Sequence, residues 1–225
     1  MTPLRLVVFD VDGTLVDSRA HILAAMDAAW AGIGRAVPPR AAVLGIVGLS
    51  LPRAMEVLGP DLPAAERAAL VAGYRAAFRR LAGEVAALSP LYPGVAEVLA
   101  AMRAAPEPLI GLATGKSRSA LALVLEAHGL AGAFANVQVA DDHPSKPSPA
   151  MLLAALAGTG VAPGDAVMVG DSVHDMEMAR SAGVPALGVG RGCHRPEALR
   201  AAGAVAVLGD IAALAPALET IWGTA

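Results

Sequence analysis

Four short segments of the 225-residue sequence hold residue types whose spacing could do chemistry. Asp10-Val11-Asp12-Gly13-Thr14 follows the apolar run Leu4–Phe9. In an extended strand, residues i and i+2 share a face. Two carboxylates therefore project together, and Gly13 permits a turn behind them. Such a pair repels itself unless a cation or a shared proton intervenes. Asp171-Ser172-Val173-His174-Asp175 sets two more acids four residues apart at a predicted helix start. Ser172 and Asp175 also fit a capping box, which is the purely structural reading of that segment. Converging at one place, the four carboxylates would form a hard-oxygen site of the kind that binds Mg²⁺ together with a phosphate.

The third segment is Thr114-Gly115-Lys116-Ser117, again between a predicted strand and helix. A hydroxyl beside open backbone N–H groups makes an anion cradle. A helix N-cap is the bland alternative for Thr114. A Walker loop fails on spacing, because its first glycine would stand at position 110, where the chain has Ile110. The fourth segment is Ser145-Lys146-Pro147-Ser148-Pro149, whose two prolines hold Lys146 in one direction. A fixed ammonium suits a negative transition state; a surface lysine on a turn is the bland reading. Only two of the 17 basic residues are lysines, Lys116 and Lys146. The composition uses arginine by default, so a compact point charge is a rare choice here.

The elements that must position these residues alternate. Apolar runs at 4–9, 109–113, 136–140, 166–169, 185–189 and 204–208 read as buried strands. Helical patterns at 95–105, 118–128, 149–156, 173–182 and 196–201 lie between them. That order predicts a doubly wound α/β fold with a mostly parallel sheet. Ligands bind beyond the carboxyl ends of such strands, where Asp10, Thr114 and Asp171 all fall. The alternation stops between about 17 and 88. Ile22, Leu23, Met26, Trp30 and Ile33, then Leu70, Val71, Tyr74, Ala77, Phe78 and Leu81, repeat at helical spacing. The expected architecture is a core of residues 1–16 and 88–225 with a small all-helical unit, 17–87, inserted after the first strand as a lid.

Composition excludes other classes. With 56% hydrophobic and 16% charged residues, a large core is available, and with 3% aromatics it is filled mainly by Ala, Leu and Val. No uninterrupted apolar stretch reaches the length of a spanning helix, and the first residues do not read as a secretory signal. The net charge of −3 lacks the basic stripe of a nucleic-acid binder. A single cysteine, Cys193, forms no intrachain disulfide. The expectation is a soluble, cytoplasmic protein, monomer or homodimer, acting on a small phosphorylated metabolite without nucleic acid or membrane. Gly188-x-Gly190 lacks the third glycine of a dinucleotide loop. Cys193-His194, His21, His128 and His143 show no spacing that demands a catalytic or metal role, and His174 has no required one.

With its four segments in this order, the chain resembles the haloacid dehalogenase-like hydrolase superfamily over essentially its whole length. The helical insertion after the first strand is similar to that of phosphoglycolate phosphatase-like members. The resemblance implies that Asp10 is a nucleophile and metal ligand, and that Asp12 is the general acid and base whose carbonyl also ligates Mg²⁺. It implies that Thr114 and the Gly115 amide bind the phosphoryl group, and that Lys146 orients Asp10 and neutralises charge. Asp171 would ligate the metal, and Asp175 would ligate it or hold a bound water. The expected reaction is Mg²⁺-dependent hydrolysis of a small phosphomonoester, 2-phosphoglycolate foremost, through an aspartyl phosphate. A sugar phosphomutase and a pyrophosphatase are the alternatives on the same core. Asp12 argues against the dehalogenase branch, and a lysine-free 17–88 argues against the phosphonatase branch. Ser50 and Arg53, in Gly48-Leu49-Ser50-Leu51-Pro52-Arg53, resemble the family's specificity loop.

Overall fold

The computed structural model describes residues 3–223. Six strands form one parallel sheet: β1 (Leu6–Phe9), β2 (Leu109–Thr114), β3 (Asn136–Val139), β4 (Ala166–Gly170), β5 (Ala186–Val189) and β6 (Ala206–Leu208). Their spatial order is β3-β2-β1-β4-β5-β6. The register pairs Leu6 with both Leu109 and Ala166, and Phe9 with both Leu112 and Val169. The strand order reverses beside β1, which is where doubly wound sheets place their ligand.

The inner strands β1, β2, β4 and β5 are buried on both faces and accordingly read as continuous apolar runs. Val7, Phe9, Val167 and Val169 enter one core layer. Leu6, Val8, Ala166 and Met168 enter the opposite one. Each layer is closed by helices that follow the strands: α6 (Val95–Ala104), α7 (Arg118–Ala127), α8 (Ala150–Thr159), α9 (Val173–Ala182), α10 (Pro196–Ala202) and α11 (Leu214–Trp222).

Between β1 and β2 the described chain is helical: α1 (Arg19–Gly32), α2 (Arg40–Gly45), α3 (Leu51–Leu58), α4 (Ala64–Arg80) and the one-turn α5 (Val85–Leu88). Ile22, Met26, Trp30, Val43, Met55 and Leu70 form an apolar cluster belonging to these helices. α1 and α4 pack along each other, while Ala25, Ala77 and Phe78 join the core layer of Val7 and Phe9. No described helix is long and apolar enough to cross a membrane.

Candidate active site

Asp10 is the first residue after β1, and its backbone N–H donates to the Val169 carbonyl of the neighbouring strand β4 at 2.9 Å. Asp171 follows β4, and Asp175 lies in the first turn of α9. Asp10, Asp171 and Asp175 each offer a carboxylate oxygen within 4.8 Å of the others, and all three are buried. Lys146, buried to 1% exposure, reaches into the cluster from the β3–α8 loop. Its Nζ lies 3.0 Å from Asp10 Oδ1 and 2.6 Å from Asp175 Oδ1.

Three carboxylates and one ammonium leave an excess of negative charge in a buried place. Burial, reinforced by Asp175 and Asp12, raises the Asp10 carboxyl to about 7 despite the counter-pull of Lys146. Burial likewise pushes Asp171 well above the usual carboxylate range, with Asp175 and Asp10 adding to it. Burial opposes the Lys146 charge, but Asp10 and Asp175 outweigh it and hold the ammonium above its ordinary value. Neither Asp10 oxygen has a well-aligned hydrogen-bond donor among the described residues, although both are buried. A buried acceptor left open in an all-oxygen cluster fits a small divalent cation, which takes carboxylates and leaves room for a phosphate.

The surrounding acids are fixed in turn. Asp171 Oδ1 accepts from Thr14 Oγ1 at 3.3 Å and its Oδ2 from the Cys193 amide at 2.7 Å. Gly13, with φ +79°, passes so close that a Cβ there would stand 2.1 Å from Asp171 Oδ2. Any side chain at 13 would displace the acid. Asp175 Oδ2 accepts from the Ser172 amide at 3.1 Å, while Ser172 Oγ accepts from the Asp175 amide at 3.2 Å. The capping box foreseen for this segment is therefore real and leaves Asp175 Oδ1 for Lys146. One carboxylate serves both readings.

Asp12 departs from the expected gathering of four carboxylates. It is not one of the three acids gathered within 4.8 Å, and its Oδ1 lies 2.8 Å from Lys116 Nζ. This second lysine belongs to the β2–α7 loop. Both partners are largely buried, at 8% and 7% exposure. Thr114, at the end of β2, is not the N-cap of α7; Ser117 is, accepting from the Ala120 amide. Thr114 Oγ1 instead accepts from the Lys116 amide at 3.3 Å, which leaves its own proton free to donate.

The helical insertion closes over this end of the sheet. A Cβ on Gly115 would stand 2.5 Å from the Gly48 and Leu49 carbonyl oxygens, so only glycine admits the insertion so near. The Ser50 amide donates to Ser145 Oγ at 2.8 Å, beside Lys146. Between insertion and core lies a cavity of about 350 Å³. Asp12, Gly115 and Lys116 line its floor, and Ile22, Met26, Leu49, Ser50 and Phe78 line its roof. Arg53 is not among the lining residues. The phase of α3 buries Ala54 and Met55 and turns Arg53 outward, where it pairs with Glu56 at 2.8 Å.

Spacing had not pointed to Lys116 as a partner of Asp12, to Thr14, to Ser145 or to the Cys193 amide. Only the rarity of lysine marked the first. Cys193 contributes its backbone rather than its thiol, which burial, with Asp171 adding, holds above its ordinary range.

Comparison with known proteins supplies the classification. The haloacid dehalogenase-like hydrolase family model matches residues 4–183. A Dickeya dadantii protein named "Probable phosphatase IndB" is 37% identical over 202 residues, covering 88% of this chain and 86% of the relative. The phosphoglycolate phosphatase of Escherichia coli K12 is 33% identical, covering 96% of this chain and 92% of the relative. The crystal structure of a hydrolase from Pseudomonas syringae shares the fold with a TM-score of 0.85 at 24% identity, over 96% of this chain and 99% of that one. The buried acids beyond β1 and β4, the Lys146 between them and these matches together make the chain an enzyme of the haloacid dehalogenase-like hydrolase family.

Proposed function

We propose that the chain is a Mg²⁺-dependent phosphatase that moves the phosphoryl group of a small phosphomonoester onto Asp10 and then to water. The observation that carries this reading is Asp10 itself: a buried carboxylate with an oxygen free of donors, next to Lys146 and across from two more acids. An Asp10 oxygen attacks phosphorus while the bond to the leaving oxygen breaks, and Asp12 gives that oxygen a proton. Asp12 then takes a proton from water as the water oxygen attacks phosphorus, and the Asp10–phosphorus bond breaks to restore the carboxylate. The covalent step divides one very slow hydrolysis into two easier displacements. Thr114 Oγ and the Gly115 amide donate to the phosphoryl oxygens, and Lys146 offsets charge on them and on Asp10.

Asp10, Asp171 and the Asp12 carbonyl would hold the metal. Asp175, whose Oδ1 meets Lys146, would ligate it or hold a bound water. Bound Mg²⁺ would neutralise the acid cluster and polarise the phosphoryl oxygens. Residues 17–87 serve as the cap, and Ser50 together with the apolar roof selects the leaving group. The similarity to phosphoglycolate phosphatases favours 2-phosphoglycolate. The cavity of about 350 Å³ admits longer alcohols as well. The lone cysteine supports a cytoplasmic setting.

The reading predicts phosphate release from a panel of phosphomonoesters in Mg²⁺, with 2-phosphoglycolate among the best. EDTA should stop release and excess Mg²⁺ restore it. A panel with no turnover in Mg²⁺, or turnover indifferent to EDTA, contradicts it.

A further inference from the structure

A chain of contacts runs from the roots of the insertion to Asp12. Ser89, fully buried just after α5, lies with its Oγ 3.2 Å from His21 Nδ1. His21 Nε2 lies 3.4 Å from the Phe78 carbonyl. That carbonyl only accepts, so Nε2 carries the proton and Nδ1 is left to accept from Ser89. The His21 ring stacks on the Phe78 ring with centroids 3.6 Å apart and planes 9° from parallel. Lys116 Nζ stands 4.8 Å from the Phe78 ring centroid, within cation–π range. The same Nζ is 2.8 Å from Asp12 Oδ1.

Each link joins different parts of the molecule. His21 is on α1 and Phe78 on α4, the first and last long helices of the insertion, whereas Lys116 and Asp12 belong to the sheet's loops. A lysine side chain is long and flexible, and left alone in a cavity it would take many rotamers. Here an aromatic face on one side and a carboxylate on the other confine it.

We infer that Lys116 is the positioning residue for the Asp12 carboxylate, and that the His21–Phe78 stack holds Lys116 in place. The acid–base group is then set for proton transfer only while the insertion is seated on the sheet, since Phe78 arrives with the insertion. This inference rests on the reading of Asp12 as the general acid.

Protonation of the leaving oxygen matters for an alcohol and little for 4-nitrophenolate, which departs unaided. General acid catalysis contributes about 10²–10⁴-fold. Glycerol 2-phosphate and 4-nitrophenyl phosphate both carry their charge on the phosphoryl group alone, so a direct attraction of Lys116 to that charge would affect both alike. For Lys116→Met, kcat/KM, which reports the steps up to loss of the leaving group, should fall at least about tenfold further on glycerol 2-phosphate than on 4-nitrophenyl phosphate. Lys116→Arg should recover part of it. Phe78→Leu, which keeps apolar volume and removes the aromatic face, should show the same selectivity at smaller amplitude and serves where Lys116→Met does not fold. Asp12→Asn is the reference. If Asp12→Asn is selective and the Lys116 and Phe78 variants lower both substrates equally, the positioning role is overturned while the acid–base reading stands. If Asp12→Asn itself lowers kcat/KM on both equally, the acid–base reading fails and takes the positioning role with it.

Discussion

Asp10→Asn is expected to lower phosphate release from 4-nitrophenyl phosphate by about 10⁴-fold or more, the scale on which loss of a nucleophile is felt. The substitution keeps the volume of the side chain and replaces an anionic nucleophile by a neutral amide. Its structural effect should be mild or favourable. Asp10 sits in a cluster whose acids raise one another, and its carboxyl is already pushed up to about 7 by burial and by Asp175 and Asp12. Removing one charge relieves that repulsion, so the metal-free variant should melt at or above the temperature of the parent. Loss of turnover with an unchanged or higher Tm separates a chemical role from a structural one. Turnover within tenfold of the parent would remove Asp10 from the mechanism.

Lys146→Met is expected to damage both turnover and stability. The ammonium is fully buried and contacts two acids, at 3.0 Å and 2.6 Å. Removing one partner of a buried ion pair leaves uncompensated charge and is worth about 3–5 kcal/mol. For a chain of this size that is a fall in Tm of roughly 6–20 °C. The pH dependence has a definite sign. The folded-state value of Asp10, about 7, is raised above its ordinary 3.8, so the folded protein holds a proton that the unfolded chain releases. Stability from this group is fully present below 3.8 and is lost as pH rises through 7. Without Lys146 the Asp10 carboxyl is raised further, so the loss continues to higher pH. The Tm gap between variant and parent, measured without metal, should therefore widen from pH 5 to pH 8. A constant gap would show that the lysine acts through packing rather than charge.

Much of the fold could be read from the chain because of where its strands lie. A central parallel strand buried on both faces is a continuous apolar run, and Leu6–Phe9 and Ala166–Gly170 are such runs. The residue after each run marks the sheet's carboxyl end, which is why Asp10 and Asp171 could be placed together. Asp12 could not be placed in this way. Strand alternation puts residues 10 and 12 on one face, but the chain turns at Gly13, and the cation that Asp12 meets, Lys116, lies more than a hundred residues away. His21 was equally silent, since its partners Phe78 and Ser89 lie 57 and 68 residues further on. Arg53 and Ser50, three residues apart, were separated by the phase of α3, which only the packing of Met55 and Ala54 against the other insertion helices sets. Local spacing thus identified groups fixed to the sheet's end. It did not identify partners chosen by the fold.

A covalent bond between Asp10 and phosphorus is the central step of the proposed reaction. Mixing the enzyme and Mg²⁺ with a ³²P-labelled phosphomonoester, quenching in acid within the first turnover and mapping the labelled peptides tests it most directly. The expected result is acid-stable, alkali-labile label confined to the peptide that contains Asp10, and absent from Asp10→Asn. Phosphate released at the full rate with no protein-bound label at any quench time, or label on another residue, would contradict it.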